Sequence, residues 1–287
     1  MNKQPLLSIC IPTYNREKFL QETLDIIVHQ DGFNTDDIEI VISDNASGDN
    51  TTHIVQSFIE KYPNIKYVRN DTNIGADRNV LSVLGLWSGK YLWWITDDDI
   101  ILPWGLAIIL DVLRKNTDDI GLFQMNFNSL NKDGTLLKKA FIWESLPTKV
   151  YDNVHELYAS YNYLHNWLTF YSINIFSSEI QSYSLNTIPV TNFPHSCIMW
   201  LISHKKAMFI RESIIGYRTN NNSDNFWDIW YFFHVFVICH MQYMKFLRKN
   251  HSLVSQWQLT IILIKMIIYS GFLWIKSFTK RLWSKNI

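Results

Sequence analysis

YLWWITDDD, residues 91–99, decides the fold class of this 287-residue chain. A run of apolar residues such as 91–95 is typical of a strand that is buried on both faces of a sheet. The carboxylates of Asp97, Asp98 and Asp99 follow this run directly. They are therefore predicted to lie at the carboxyl end of the strand, where an open α/β sheet forms its ligand-binding crevice.

The stretches on either side of residues 91–99 alternate between short apolar runs and segments whose apolar residues recur at helical spacing. The predicted strands and helical segments are, in chain order, 6–11, 19–28, 38–42, 54–62, 65–68, 80–87, 106–113 and 120–125. Continuous apolar runs separated by amphipathic helices are typical of parallel strands with both faces covered. The sequence thus predicts an α/β fold with a mostly parallel central sheet flanked by helices.

The chain is predicted to divide into three parts, residues 1–126, 127–223 and 224–287. The first is the α/β half described above. The second belongs to the same domain but is less regular, with strands predicted at 167–176 and 207–217 and a short helix at 193–203. The third is predicted to be a helical tail.

The tail differs from the rest of the chain in charge. The formal net charge is zero, yet residues 229–287 carry eight Lys or Arg and no Asp or Glu, so residues 1–228 carry −8. Residues 259–275 are 17 residues with a single charge, Lys265, a stretch shorter than the ~20 apolar residues that a membrane-spanning helix needs. A basic, aromatic helix that lies on the membrane surface fits this pattern better. The alternative is a pair of core helices packed on the domain.

The cysteines give an expectation about the compartment. Cys10, Cys197 and Cys239 are odd in number and widely spaced, which excludes a disulfide framework and a zinc-ligand spacing. A reducing compartment fits best, and no secretory signal peptide is expected at the N-terminus. The protein is therefore expected in the cytoplasm.

Three further polar clusters are predicted to meet the acidic triplet at the crevice. They read PTYNR at residues 12–16, DNASGD at 44–49 and NIGADRN at 73–79. A carboxylate at Asp44 could accept hydrogen bonds from a base or a ribose hydroxyl. Gly75 would permit a tight turn that opens a helix. Arg78 could face a phosphate or base, or pair with Asp77 or Asp44.

Three adjacent carboxylates repel one another, so the triplet is costly unless a cation compensates it. Hard divalent ions such as Mg²⁺ take oxygen ligands, often one or two carboxylates together with substrate phosphates. A nucleoside diphosphate would supply those phosphates. The alternative is a solvated acidic turn or the N-cap of the helix predicted to begin at Pro103 and Trp104.

Taken together, SICIPTYNREKFL, EIVISDNASGDNT, NIGADRN and TDDD resemble the family 2 glycosyltransferases of GT-A fold. The resemblance covers roughly residues 5–125 and depends on the order and spacing of all four segments. It is strongest to the bacterial transferases of O-antigen and capsule synthesis, including abequosyltransferase-like enzymes. It implies that residues 1–126 bind the nucleotide sugar and that residues 127–223 bind the acceptor.

The resemblance also implies a role for each matched residue. Pro12, Tyr14 and Arg16 would border the nucleotide base, which Asp44 would bind. Asp99, with Asp97, would hold Mg²⁺ or Mn²⁺. The whole implied nucleotide-sugar-binding set is Pro12, Tyr14, Arg16, Asp44, Asn73, Arg78, Asp97 and Asp98.

The catalytic base departs from the family pattern. The family commonly uses an Asp on a helix of the acceptor-binding half, but no Asp or Glu occurs between Glu179 and Glu212. His195 is the titratable group in that stretch, and it could accept the proton of the acceptor hydroxyl. His165 and Asp152 are alternative bases. A helix-start histidine that faces solvent is the non-catalytic interpretation of His195.

The function implied is an inverting transfer of a sugar from a nucleotide-diphosphate donor to a glycan hydroxyl. The acceptor would be a polyprenyl-diphosphate-linked oligosaccharide, and the tail would hold the enzyme on the cytoplasmic face of the inner membrane. No nucleic-acid partner is expected. Aromatic residues of the second part could stack on acceptor sugars or simply form core, namely Trp143, Tyr161, Tyr163 and Trp167.

Two other function classes stay open on the sequence. Asp97 and Asp99 have the spacing of a phosphatase-like hydrolase, although such enzymes usually place this pair after the first strand, and here it follows the fourth. A non-catalytic nucleotide- or membrane-binding scaffold is the other alternative. A dinucleotide-dependent dehydrogenase is disfavoured because no G-x-G-x-x-G follows a strand.

Overall fold

The computed structural model describes residues 3–116, 119–138, 147–160, 171–182 and 205–218. Within them the chain forms one sheet of ten strands and five α-helices. The strands are β1 (Leu7–Thr13), β2 (Ile38–Asp44), β3 (Ile65–Arg69), β4 (Tyr91–Trp94), β5 (Ile100–Ile101), β6 (Ile120–Leu130), β7 (Leu136–Lys138), β8 (Lys149–Tyr151), β9 (Asn174–Ser177) and β10 (Lys206–Arg218). The helices are α1 (Glu17–Val28), α2 (Thr51–Ile59), α3 (Ala76–Val83), α4 (Gly105–Lys115) and α5 (Val154–Ser160).

The first half of the sheet is parallel, in the order β3-β2-β1-β4. Every residue of β2 and β4 is buried, because helices cover this part of the sheet and leave the strands no solvent-facing side. Helix α1 buries one stripe against it, including Leu20, Leu24 and Ile27. The sequence-based prediction of this α/β half is confirmed.

The second half of the sheet is mixed. Strand β9 is antiparallel to both β4 and β6, β6 is parallel to β10, and β5 and β8 pair antiparallel with β10. Two parallel strands must be joined by a long crossover connection, whereas antiparallel strands can be joined by a short one. The parallel arrangement therefore describes the first four strands and the β6–β10 pair, and not the whole sheet.

Two predicted boundaries shift in the structure. The strand predicted at 167–176 is observed as β9, which begins at Asn174 after a 3₁₀ turn at Tyr171–Ile173. The division predicted at residue 126 falls inside β6. Both halves consequently contribute strands to a single sheet, and the carboxyl ends of β1, β2, β3 and β4 lie at one edge of it.

The acidic triplet does not cap a helix. Strand β5 separates Asp99 from α4, whose N-terminal residue before the first turn is Trp104, in a left-handed conformation with φ 65° and no side-chain cap. The alternative interpretation of the triplet as a helix cap is therefore wrong. By contrast, α3 begins directly after Gly75, at φ 87°, as expected of a glycine that opens a helix.

Several predicted features lie outside the described residues. They include the helix at 193–203, the four aromatic residues proposed to meet the acceptor, and the whole tail 224–287. Among the helices that the structure does describe, none combines the length and the apolar character needed to cross a membrane.

Candidate functional site

Two carboxylates of the acidic triplet are buried in the crevice, and helix α1 holds the main chain of the triplet by hydrogen bonds. Asp97 and Asp99 are 8% and 3% exposed. Thr23 of α1 donates its hydroxyl to the carbonyl oxygens of both residues, at 3.0 Å to Asp97 and 3.4 Å to Asp99. A hydroxyl that bridges two carbonyls of one loop holds that loop against the helix. The triplet therefore has a defined position and does not extend into bulk water.

Each of the two buried carboxylates is held by a hydroxyl group. Thr13 Oγ1 donates to Asp97 Oδ2 at 2.7 Å, and Ser172 Oγ donates to Asp99 Oδ2 at 2.5 Å. Burial, and secondarily the charge of Asp98, raises the pKa of Asp97 and of Asp99 to about 7. The charge of Arg16 acts to lower the pKa of Asp97, but burial outweighs this effect. The site thus has the electrostatic character of one that gains from a bound cation.

Two arginines flank the triplet and share one aromatic ring. Arg16 Nη1 lies 3.4 Å from Asp98 Oδ2, and its guanidinium carbon lies 5.2 Å from the centre of the Phe19 ring. Arg218, at the end of β10, lies 5.5 Å from the same ring and pairs with Glu22. The main-chain N–H of Arg218 also bonds Asp99 and acts to lower its pKa. Arg16, predicted to border the base, thus contacts the triplet.

Asp44 is fully buried and bonded within the chain. Its Oδ1 accepts the N–H of Ser47 at 2.8 Å, and its Oδ2 accepts the hydroxyl of Tyr67 at 2.7 Å. Its ion pair is with Arg69, whose Nε lies 3.4 Å away. The suggested pairing with Arg78 is wrong, since Arg78 forms no ion pair with a described residue. Asp44 shapes the loop after β2, and its contact with a base stays a prediction.

A network of asparagine amides occupies the ends of β1, β2 and β3. Asn45 Nδ2 donates to Asn73 Oδ1 at 2.8 Å, and Asn70 Nδ2 donates to Asn45 Oδ1 at 3.3 Å. Asn79 of α3 donates to the carbonyl oxygens of Ser43 and, at 3.4 Å, Thr13. This part of the crevice is therefore lined by neutral hydrogen-bonding groups.

Thr13 joins the acidic and the amide regions. Its hydroxyl bonds Asp97, and its carbonyl oxygen accepts the N–H of Asn45 at 2.9 Å. The next residue, Tyr14, is 43% exposed and offers an aromatic ring at this junction. The crevice consequently has two adjacent regions, an acidic one and an uncharged polar one, that a single ligand can span.

The structure brings together most of the predicted residues. Pro12 is at the end of β1, while Asn73 and Arg78 are exposed at the loop before α3 and on α3 itself. His195 and its alternative His165 lie outside the described residues. Asp152 is exposed between β8 and α5. The roles assigned to these residues stay predictions, because the structure gives their positions only.

Sequence reasoning missed the residues that support the triplet. Thr13 and Asn45 stood inside two of the quoted polar clusters but were not selected as site residues. Ser172 and Arg218 come from the second half of the chain, where no motif points to them. Only the pairing of β9 with β4 and of β10 with β5 brings these two beside Asp99.

The donor atoms of the triplet suit a hard divalent ion. The described residues contain no group of three or more His, Cys, Asp or Glu side chains placed to hold a metal. However, a protein often binds such an ion through one or two carboxylates, and the substrate phosphates supply further ligands. The two buried carboxylates of the triplet match that contribution. The residues present therefore fit Mg²⁺ or Mn²⁺ in company with a diphosphate.

The sequence of residues 8–176 matches the family model described as glycosyl transferase family 2. The match covers more than half of the chain and includes every polar cluster described above. The chain belongs to glycosyl transferase family 2. This membership favours the sugar-transfer interpretation over the phosphatase-like one, and it confirms the family resemblance noted in the sequence.

Two curated relatives of this family 2 chain are named as glycosyltransferases. Abequosyltransferase RfbV of Salmonella typhimurium is 44% identical over 114 residues, which are 39% of this chain and 34% of the relative. GalNAc(5)-diNAcBac-PP-undecaprenol beta-1,3-glucosyltransferase of Campylobacter jejuni is 29% identical over 150 residues, 48% of each chain. The chain thus matches about a third to a half of the length of these relatives.

A solved structure shows the fold of this family 2 chain. Residues 1–349 of TarS from Staphylococcus aureus, in complex with UDP-GlcNAc, superpose with a TM-score of 0.68 at 17% identity, over 92% of this chain and 72% of TarS. The prediction of a GT-A fold, with a central sheet flanked by helices, is confirmed.

Proposed function

We propose that this protein transfers a sugar from a nucleoside-diphosphate sugar to a glycan hydroxyl. The observation that carries the proposal is Thr13, whose hydroxyl bonds the acidic region and whose carbonyl bonds the amide region. A nucleoside diphosphate has a matching division, with a charged diphosphate at one end and a base that hydrogen-bonds and stacks at the other. Family membership supports the same chemistry.

The diphosphate would lie at Asp97 and Asp99, which would hold Mg²⁺ or Mn²⁺. When bound, the metal stabilises the negative charge of the leaving nucleoside diphosphate. The chain itself keeps the two carboxylates in place through Thr13, Ser172 and the Thr23 bonds to the main chain. Arg16, beside Asp98, is close enough to the triplet to meet a phosphate once the donor enters.

The test of this proposal is Asp99→Asn. Loss of one metal-binding carboxylate is expected to lower metal-dependent donor turnover at least ~100-fold while the protein stays folded, since Asn can keep the Ser172 contact. The matched control is Asp111→Asn on α4, which removes an exposed carboxylate paired with Lys115. Turnover of Asp99→Asn equal to that of the control would contradict the proposal.

A second measurement, hydrolysis of the donor, distinguishes an enzyme from a non-catalytic scaffold. Slow hydrolysis of the donor without acceptor, dependent on Mg²⁺ or Mn²⁺, is expected of a transferase. We screen sugar nucleotides by calorimetry first, so that the assay uses a donor known to bind. Metal-dependent binding with no hydrolysis and no transfer to any glycan would favour the scaffold.

The acceptor is proposed to be a sugar hydroxyl on a polyprenyl-diphosphate carrier, as the name of the Campylobacter relative states for that enzyme. His195 is proposed as the base that takes the hydroxyl proton, with inversion at the anomeric carbon. His195→Ala and His195→Gln should lose transfer but keep donor binding. Near wild-type turnover of both variants would eliminate His195 and leave Asp152 and His165 for the same test.

A further inference from the structure

We propose that Arg16 is an internal counter-ion of the acidic triplet, which opposes a divalent ion that arrives alone and admits one that arrives with a diphosphate. When the donor binds, the Arg16 guanidinium leaves Asp98 for a phosphate oxygen, and the divalent ion then neutralises the carboxylates. The inference rests on the proposed function, because it concerns how the donor and the metal enter that same site.

Arg16 stands at a position of α1 where an arginine is unfavourable for the helix. It is the N-cap residue, and its side chain forms no cap hydrogen bond. Ser, Thr, Asp and Asn are preferred at this position, and a cation is repelled by the positive end of the helix dipole. Asp49 satisfies the helix end instead, because its Oδ2 accepts the N–H of Glu17 at 3.1 Å. The side chain of Arg16 therefore remains available to the crevice.

The turn before α1 fixes the main chain from which the Arg16 side chain extends. Asn15 has a left-handed backbone, with φ 53°, which asparagine tolerates better than most residues. Its N–H donates to Ser47 Oγ at 2.9 Å, and its side-chain oxygen accepts the N–H of Gly48 at 2.7 Å. These bonds join the turn after β1 to the turn after β2. Arg16 consequently starts from a fixed point at the edge of the crevice.

The contact between Arg16 and Asp98 can be exchanged for another. Its 3.4 Å separation is longer than the ~2.7–2.9 Å of a charge-assisted N–H···O⁻ hydrogen bond. The side chain of Arg16 is 31% exposed, so that solvent weakens the pair further. The Phe19 ring, 5.2 Å from the guanidinium carbon, holds the arginine beside the triplet by a contact that does not depend on Asp98. Arg16 can thus turn from Asp98 to a phosphate oxygen without leaving the crevice.

A divalent ion at the triplet would meet the charge of Arg16 as well as the carboxylates. Arg16 attracts the carboxylate of Asp97 in addition to that of Asp98, and Asp97 is one of the two residues proposed to hold the metal. Two like charges repel more strongly in a partly buried site than in water. A diphosphate relieves this repulsion, because it brings negative charge for Arg16 and further oxygen ligands for the metal. The metal and the diphosphate should therefore strengthen each other's binding.

The competition gives Arg16→Gln two effects of opposite sign. Loss of the positive charge should make Mn²⁺ alone bind at least ~10-fold more tightly, since the triplet is no longer neutralised from within the chain. The same loss should weaken binding of a nucleoside diphosphate in saturating Mn²⁺ by roughly 10-fold, because a phosphate loses its guanidinium partner. A residue that only supported the fold, or only attracted the diphosphate, would not strengthen the binding of the metal alone.

The experiment is calorimetric titration of the full chain, first with Mn²⁺ alone and then with UDP, CDP, GDP and dTDP in saturating Mn²⁺. Arg16→Lys keeps the charge and should bind Mn²⁺ alone as weakly as the wild type does. Lys18→Gln is the matched control, since it removes the same charge from an exposed position in the first turn of α1. It should change neither affinity by more than about 2-fold, because exposed charges are screened. Thermal unfolding of each variant checks that it is folded.

The outcomes separate this inference from the proposed function. If Arg16→Gln binds Mn²⁺ alone no more tightly than the wild type, the counter-ion role is overturned. An absence of measurable Mn²⁺ binding in both proteins overturns it as well. An unaltered nucleotide affinity overturns the transfer of Arg16 to a phosphate. If no nucleoside diphosphate binds the wild type in Mn²⁺, the proposed function fails, whereas the titration with Mn²⁺ alone still decides whether Arg16 opposes the metal.

Discussion

Glu39 and Asp99 are both buried carboxylates, at opposite ends of the sheet, and they differ in their partners. Glu39 receives hydrogen bonds from Ser8 and from the N–H and hydroxyl of Ser88, and it pairs with Lys66 at 2.6 Å. Although burial alone would raise its pKa, these partners together lower it. Asp99 forms no ion pair with a Lys or Arg of the described residues, and burial, together with the charge of Asp98, raises its pKa. The partners of Glu39 stabilise the fold, whereas the carboxylate of Asp99 keeps a negative charge that a bound cation can neutralise.

The contrast predicts a pH effect for Glu39→Gln. A carboxylate whose pKa is lower in the folded than in the unfolded state stabilises the protein above the unfolded value of 4.5, and this contribution is lost as the pH falls through the folded value. We expect Glu39→Gln to lower the free energy of unfolding by about 1–3 kcal/mol at pH 7. Urea denaturation at pH 7 and pH 3.5 measures it, and the difference from wild type should shrink at pH 3.5. An equal difference at both pH values would contradict the assignment.

At the scale of elements, α1 is the part that organises the acidic region. Its Thr23 holds the triplet loop, and Phe19 lies between two arginine side chains. Glu22, also on α1, forms an ion pair with Arg218 of the last described strand. A helix from the first half and a strand from the second are thus joined beside Asp99. Arg218 is a positioning residue in this description, because its side chain contacts α1 while its main chain contacts Asp99.

The contact between α1 and β10 predicts a loss of stability in Arg218→Ala. The guanidinium is buried, and its removal takes away a charge-assisted hydrogen bond and the packing on Phe19. We expect the free energy of unfolding to fall by about 2 kcal/mol, as measured by thermal or urea unfolding. Arg211→Ala, at an exposed position of the same strand, is the control and should change stability by less than about 0.5 kcal/mol.

If Arg218 has only a structural role, the folded Arg218→Ala variant should bind metal as the wild type does. If Arg218 positions Asp99, the Mn²⁺ concentration that gives half-maximal turnover should rise roughly 10-fold, as for other residues that orient metal ligands. Loss of stability with an unaltered Mn²⁺ requirement would show that Arg218 serves the fold only.

At the scale of the whole molecule, charge is divided along the chain. Residues 1–228 carry −8 and residues 229–287 carry +8. The acidic part includes the described crevice, whereas the basic, aromatic part lies outside the described residues. We propose that the tail holds the protein on an anionic membrane surface, where a lipid-linked acceptor would be found. Location on the cytoplasmic face of the inner membrane is part of the same proposal.

The tail proposal predicts the effect of removing its charge. Replacing Lys276, Lys280, Arg281 and Lys285 together with Gln should weaken binding to anionic vesicles, at about 1 kcal/mol per charge at low salt. Co-sedimentation with vesicles containing phosphatidylglycerol measures this effect, and neutral vesicles are the control. Equal sedimentation of the variant and the wild type would count against an electrostatic anchor. The donor-binding affinity should not change.

The α/β half, the family and the acidic crevice of this protein could all be predicted from the amino-acid sequence. Each of these depends on local patterns: apolar runs bury strands, helical spacing covers them, and polar residues follow at the strand ends. The groups that support the buried carboxylates, and the hydrogen bonds that orient the asparagine amides, could be identified only from the folded chain. Ser172 reaches Asp99 across a sheet that joins both halves, and the amide of Asn45 is oriented by the main-chain N–H of Ile74 in the loop before α3. Such contacts join residues distant in sequence, so no local pattern could have contained them.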